Sequence, residues 1–528
     1  MPGLTVVNAE SGSWRLRTSL EARAMTSTLS FSNLATFGAS LTDWGGMYGL
    51  TKDVIRVPLP LAKNGYSIGY SNGSVYTVYA SDLLEIPTLE NYAIGSASAL
   101  GSTILEDFLE EKFIAYTIKV DRDDPRLKAE FNYTAQVDRF LEANAGVDLS
   151  GTMSLIQMGL VDYMNFFPNF SRGGPSSYSE FTVEVLGSVF DGVDRMMDAG
   201  VGQVVLNTLP DPSNFVFMSW MPSFYLRKVD NAVAHHNDML QAEVATRAAA
   251  GENIVVVDMN ALTAAIDDDP SAFGFVASAG SFISSSVRFW LSASSAPDEY
   301  DPDQVAFFDP FHPSTAYHGV MGVFQAESLT KATTVLEEDG AVFQGSAAGD
   351  MVLVRGDGAT IMAQQGEDTV IGGVGRDSLS GGAGDDVLAG GSGDDSLDGG
   401  AGADVLAGGT GDDLLMGGDG NDVLIDGLGS DTLLGGIGHD VFLFCDPRLI
   451  GGQSGTDFDT FDGGEGHDIL YLALGDAQRQ VFETTGSLAE IGIFATGIEE
   501  VVLVAHRLEL VDVSSDARLA EADLWGFV

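Results

Sequence analysis

The first 340 residues alternate between two apolar patterns. Short unbroken runs, "GQVVLNTL" (202–209) and "NIVVVDM" (253–259), read as buried strands. Between them lie longer stretches with helical spacing, "SVFDGVDRMMDAG" (188–200) and "RKVDNAVAHHNDMLQAEVATRAAAG" (227–251). This alternation predicts an α/β domain, with helices on both faces of a parallel sheet. Ligands of such sheets sit beyond the carboxyl ends of the strands. One more apolar run, "NLAT", leads into "FGASLTDWGG" (37–46), a Gly- and Ala-rich turn that carries a single serine, Ser40.

From Gly366 the pattern changes to a period of nine. Aspartates recur at Asp368, Asp377, Asp386, Asp395, Asp404, Asp413, Asp422, Asp431 and Asp440. A large apolar residue follows each by two positions, from Val370 and Leu379 through to Leu433 and Phe442. The repeat falters before Gly366 ("GDGATIMAQQ") and returns once at "GGEGHDILY", with Asp468. The "GGxGxD" half supplies tight turns, where glycine tolerates φ > 0. The other half predicts a three-residue strand whose middle side chain points inward. Two nonapeptides then make one flattened coil, and stacked coils form a parallel β-roll. Aspartates and glycine carbonyls line up on the turns as hard oxygen ligands, suited to several structural Ca²⁺ ions. Collagen would need glycine at every third position, and a disordered segment would not hold a large apolar residue in register nine times. The expected domains are 1–340 for the α/β unit, 341–475 for the roll and 476–528 for a C-terminal cap.

The charge sharpens this picture. The 528 residues carry a net charge of -51, which argues against nucleic acid as a partner and disfavours anionic membrane surfaces. Residues 341–470 hold 24 acids against three arginines, and the last lysine of the chain is Lys331. Self-repulsion opposes collapse of that segment, and cation binding would become folding free energy. The one cysteine, Cys445, allows no intramolecular disulfide. No apolar window is long enough for a transmembrane segment. The opening "MPGLTVVNAESGSWRLRTSL" lacks the basic start and apolar core of a signal peptide, so an export address is not expected at the front.

A serine needs a base before it becomes a nucleophile. Four histidines precede residue 340: His235, His236, His312 and His318. His235 and His236 are adjacent on a helical pattern, so at most one serves a site. His312 lies in "FFDPFHPSTAYH" (307–318), three residues after Asp309, so one loop could deliver an imidazole and the carboxylate that orients it. Taken alone, that segment reads first as a solvated loop with an Asx turn, and Ser40 first as a turn former.

In order along residues 32–325, the blocks "FGASLTD", "GYSNGSVYTVYASDLL" (69–84), "NYAIGSAS" (91–98), "LIQMGLVDYM" (155–164) and "DPFHP" resemble the GDSL, or SGNH, hydrolase family of esterases and lipases. The resemblance implies a flavodoxin-like sheet, Ser40 as nucleophile, His312 as general base and acid, and Asp309 as its orienter. The oxyanion would rest on the backbone N–H groups of Ser40 and Gly95. Two departures stand out. Ala39 replaces the acid of the first block. The third block reads Gly159-Leu160-Val161-Asp162, with Val161 where the family carries an asparagine that donates to the oxyanion. Losing one such donor costs about 10²–10³ in kcat, so an enzyme of reduced or altered activity is expected, unless Asn165 substitutes. Trp44, Phe166, Phe167 and Phe170 are candidates for an acyl site. Over residues 345–475 the repeats resemble the RTX family, which is exported by type I secretion machinery through an uncleaved C-terminal signal. The reading is a secreted calcium-stabilised carboxylester hydrolase, free or associated with the cell surface, acting on an ester or lipid. The alternative is a catalytically impaired extracellular binding or surface protein on the same fold.

Overall fold

A computed structural model of the chain describes residues 4–6, 30–39, 41–43, 74–94, 97–100, 125–169, 178–212, 223–273, 275, 315–446 and 458–504. Two compact units are present; one spans residues 27–264 and 279–326, the other residues 1–26, 265–278 and 327–528.

In the first unit, five strands form one parallel sheet: β1 (Asn33–Gly38), β2 (Leu89–Asn91), β3 (Thr152–Gln157), β4 (Gln203–Asn207) and β5 (Ile254–Val257). Their order is β2-β1-β3-β4-β5. β1 is buried from Leu34 onward and β3 throughout, as expected for central strands covered on both faces. The order is the flavodoxin-like one, and its direction reverses between β1 and β3. Seven helices are described in and around this sheet: α1 (Tyr76–Leu83), α2 (Tyr133–Ala143), α3 (Leu160–Asn169), α4 (Tyr178–Asp198), α5 (Ser223–Ala249), α6 (Met259–Asp268) and α7 (Thr315–Thr330). The sequence places the start of α4 ten residues too late. Phe181, Val185 and Phe190 already lie on its buried face, and they carry the helix back to Tyr178. Helix α2 is capped by Asn132, whose side chain accepts the Ala135 N–H at 2.9 Å. Its Tyr133 and Phe140 rings meet Phe37 of β1 edge-on, with centroids 6.4 and 5.5 Å apart.

The second unit is a parallel β-roll of two sheets. In one sheet Val370, Leu388, Leu406, Leu424 and Phe442 stand in register; in the other, Leu379, Leu397, Leu415 and Leu433 do. Each step is 18 residues, so two nonapeptides make one coil. These side chains form the core, every one at most 1% exposed, and each contributes about 1.5–3 kcal/mol by leaving water. The strands are longer than expected: Val387–Ser392 and Ser396–Ala401 each run six residues. The glycine pair stays in the ladder, with Gly382 paired to Gly400, and the second glycine of each pair turns the chain at positive φ. A Cβ on Gly400 (φ +106°) would overlap the Gly382 carbonyl, so no other residue fits there.

The stack also outruns the repeats. Thr360–Gln365 and Asp350–Val354 add coils at the front, and Ile493–Thr496 and Glu500–Val504 add coils at the back. Leu4–Val6 pairs in parallel with Glu500–Val504.

Candidate functional site

The register pair at the carboxyl end of β1 and β3 is Gly38 opposite Gln157, at the point where the sheet reverses. Gln136 of α2, wholly buried, grips Gly38 from the side. The Gly38 N–H donates to Gln136 Oε1 at 3.0 Å, and Gln136 Nε2 donates back to the Gly38 carbonyl at 2.9 Å. A Cβ on Gly38 would collide with Thr42 and lie 2.7 Å from the Gln157 carbonyl, so the position requires glycine. The next carbonyl, Ala39, accepts from the N–H groups of Thr42 and Asp43 and from Thr42 Oγ1, at 3.0–3.2 Å. These bonds close a tight turn over residues 39–43. The block at residues 91–98 is tied to β1. Ile94 N–H donates to the Gly38 carbonyl at 3.1 Å, and Tyr92 and Ala93 donate to the Thr36 carbonyl. Asn91 Oδ1 accepts from Ala93 N–H at 3.2 Å.

Ser40, Gly95, Asp309 and His312 lie outside the described residues, as do Trp44 and Phe170. The side chains of Asn165, Phe166 and Phe167 on α3 are likewise not described. What the structure does bring together is the frame on either side of residues 40 and 95.

Val161, the second residue of α3, is half-buried, and its side chain offers no donor. Its neighbour Asp162 does not replace it. That carboxylate is 5% exposed and accepts the N–H groups of Ala99 (2.7 Å) and Leu100 (3.0 Å). Burial pushes its pKa up to about 6 against the pull of those two amides. Asp162 therefore braces the segment that follows residue 95.

A buried polar chain runs beside the crevice, and sequence reasoning missed it. Tyr76 Oη donates to Gln157 Oε1 at 3.3 Å, while Asn207 Nδ2 donates to Tyr76 Oη at 3.1 Å and to Gln325 Oε1 at 2.6 Å. The available signal was that β3 and β4, apolar strands, each end on an amide: Gln157 and Asn207. Two histidines are spoken for. His236 is 1% exposed, with Nδ1 3.0 Å from Tyr163 Oη, and burial drives its pKa down to about 3. His318 accepts the Tyr76 N–H on Nδ1 at 3.2 Å and stacks on that ring. His235 points the other way, 3.2 Å from Ser179 Oγ.

In the roll, the repeat aspartates form a ladder. Oδ1 of each accepts the backbone N–H one coil earlier: Asp377 N–H to Asp395 at 2.7 Å, Asp395 N–H to Asp413 at 2.8 Å, Asp413 N–H to Asp431 at 2.9 Å. The other oxygen, Oδ2, of Asp377, Asp395, Asp413 and Asp431 is buried without a hydrogen-bond partner. A point where a Cβ would sit on Gly390 is 2.5 Å from Asp395 Oδ2 and 2.6 Å from the Gly408 carbonyl. Carboxylate and carbonyl oxygens thus converge from successive coils. Among the described residues no three His, Cys, Asp or Glu side chains gather at one point, so a bound ion would draw on one carboxylate per turn together with main-chain oxygens. Burial raises these carboxyls, Asp395 to about 6, Asp377 and Asp413 to about 7 and Asp431 to about 8. Buried, unpaired hard oxygens of this kind suit Ca²⁺.

Sheet order and ladder together define the class: a flavodoxin-like α/β domain followed by a parallel β-roll with calcium-type turns. The chain belongs to the GDSL-like Lipase/Acylhydrolase family, whose model matches residues 34–322. The resemblance read from the five blocks therefore stands, and membership supports a hydrolase. Four copies of the RTX calcium-binding nonapeptide repeat match residues 356–388, 380–415, 407–442 and 453–477. The chain is 25% identical over 314 residues to the thermolabile hemolysin of Vibrio parahaemolyticus serotype O3:K6, covering 58% of this chain and 65% of that protein. It is also similar to a solved member of the lipolytic protein G-D-S-L family from Veillonella parvula, at 13% identity and a TM-score of 0.28, covering 56% of this chain and 98% of the other. Among the described residues no helix is long and apolar enough to cross a membrane.

Proposed function

We infer that the chain is a secreted carboxylester hydrolase acting through an acyl-serine intermediate. The observation that carries this reading is the turn over residues 39–43. It is held by Gln136 and by the Asn91–Ile94 segment at the switch point of the sheet, where a nucleophile would meet a substrate. Ser40 Oγ attacks the ester carbonyl while His312, oriented by Asp309, takes its proton. The oxyanion accepts the N–H groups of Ser40 and Gly95. Collapse expels the alcohol with a proton from His312, and a water activated by the same imidazole releases the acid.

With Asp162 committed to Ala99 and Leu100, the donor missing at Val161 is not made good by its neighbour, which supports a lowered rate. The repeat aspartates, Asp368 to Asp440 at intervals of nine and then Asp468, would hold calcium together with turn carbonyls. Bound calcium neutralises the stacked carboxylates and so stabilises the roll. Domains at 1–340, 341–475 and 476–528, export by type I secretion machinery and an extracellular setting complete the reading. It is supported by the acidic composition of the repeats and by their match to the RTX calcium-binding repeat.

The test is turnover of p-nitrophenyl esters of several acyl lengths by wild type and Ser40→Ala in calcium. Ser40→Ala should fall to background, about 10³-fold or more below wild type. Val161→Asn should raise kcat by about tenfold or more if the missing donor limits the rate. Equal background in wild type and Ser40→Ala would leave the non-enzymatic surface protein as the better reading.

A further inference from the structure

One coil of the roll breaks the repeat at a chemically loaded place. Where the other strands carry the first glycine of the pair, as at Gly390, Gly399, Gly408 and Gly417, the strand "VLIDGL" (423–428) carries Asp426. The ladder fixes its position. Ala407 pairs with Ile425 and Gly409 with Gly427, so Asp426 stands beside Gly408. It has the same parity as Leu424, whose side chain enters the core. The equivalent glycines are those at which an added Cβ would meet the Oδ2 of the aspartate five residues on: Asp395 at Gly390, Asp413 at Gly408. At 426 a real side chain occupies that place.

Its surroundings make no sense for a lone carboxylate. Asp426 is 2% exposed, and its Oδ1 has no hydrogen-bond partner. Its charged neighbours are the carboxylates of Asp459 and Asp431, and the backbone N–H groups of Gly427 and Cys445 donate to it. Asp431 Oδ2 is itself buried and unpartnered. Two buried oxygens lacking hydrogen bonds therefore stand on neighbouring carboxylates that repel each other. Without a cation such an arrangement strongly disfavours ionisation of both groups.

We propose that Asp426 is a cation ligand peculiar to this turn, which adds a second carboxylate to the one that Asp431 supplies and so makes this the most strongly anionic calcium site of the roll. The proposal rests on the calcium reading of the repeats and deepens it. Elsewhere in the row an ion meets one carboxylate and main-chain oxygens; here it meets two carboxylates. Calcium affinity rises with the number of charged ligands, so this turn would fill first as calcium rises.

The experiment is calcium titration of the full chain by calorimetry, with far-UV circular dichroism as a second readout, for wild type, Asp426→Gly and Asp426→Asn. Glycine restores the residue found at the equivalent turns, and asparagine keeps the shape without the charge. Both variants should reach the wild-type spectrum in saturating calcium. Their tightest binding step should weaken by about tenfold or more, and the midpoint of calcium-induced folding should move to higher calcium. Isotherms of both variants that superimpose on wild type would overturn the proposal, because Asp426 would then be a neutral buried acid. Tighter binding by Asp426→Gly would overturn it too. Should glycine fail to fold in saturating calcium, the asparagine isotherm decides by the same criterion. A wild-type chain that takes up no calcium would remove the calcium reading itself, and this proposal with it.

Discussion

Gln136 is the residue on which the geometry around position 40 turns. It is wholly buried, it lies on the face of α2 that packs on Phe37, and both ends of its amide are spent on Gly38. Gln136→Ala leaves the Gly38 N–H buried without an acceptor, although Ile94 still serves the carbonyl. An orphaned buried donor costs about 1–3 kcal/mol. Because Gly38 is two residues from Ser40, kcat on a short p-nitrophenyl ester should fall, with KM little changed. Gln136→Glu keeps an acceptor for the N–H and should recover part of the loss. A lowered melting temperature with unaltered kcat would reduce Gln136 to a core brace. None of this was legible from the chain. A glutamine within a helical stripe carries no signal when its partner lies 98 residues away. The ordered blocks around Ser40, Gly95, Asp309 and His312 were legible, because each is a local string. Asp162 was legible only as a member of its block, and its role as a brace for Ala99 and Leu100 needed coordinates.

At the scale of elements, the period of nine fixed the pairing rule of the roll. An inward leucine every nine residues and an 18-residue coil follow from it without further information. Strand length did not follow, because glycine is a poor strand former, yet Gly382 and Gly400 remain paired. The outer coils were also hidden. In Thr360–Gln365 only Ile361 and Ala363 mark the inner face, and Gln364 takes φ +84° where its partner coil has Gly382. A non-glycine residue survives that conformation at the edge of the repeats. In the middle of the stack Gly400 has φ +106° and the Gly382 carbonyl against its open side. Gly400→Ala should therefore destabilise the calcium-loaded roll by more than about 1 kcal/mol. The readout is the thermal transition in excess calcium. An unchanged transition would mean that the ladder at this coil is looser than its register implies.

Across the whole molecule, the net charge of -51 makes cation and proton competitors for the same oxygens. In the folded, metal-free roll, burial raises Asp377 and Asp413 to about 7 and Asp431 to about 8, above the ordinary value of 3.8. A folded-state pKa above the unfolded one means that folding favours the protonated form. The stability linked to these groups is complete below the unfolded pKa and is lost as pH rises from about 4 through 8. Calcium binding has the opposite dependence, since the ion must displace those protons and binds more tightly as pH rises through the same window. In EGTA the far-UV signal of the roll should be stronger at about pH 5 than at about pH 8. Added calcium should release protons near pH 6.5, and fewer at pH 8.5. Proton release is measured by calorimetry in buffers of different ionisation enthalpy. A calcium-free spectrum that does not change between those pH values, together with calcium uptake that releases no protons, would show that the aspartates are already ionised in the folded roll. The charge would then be balanced by some group other than hydrogen ions.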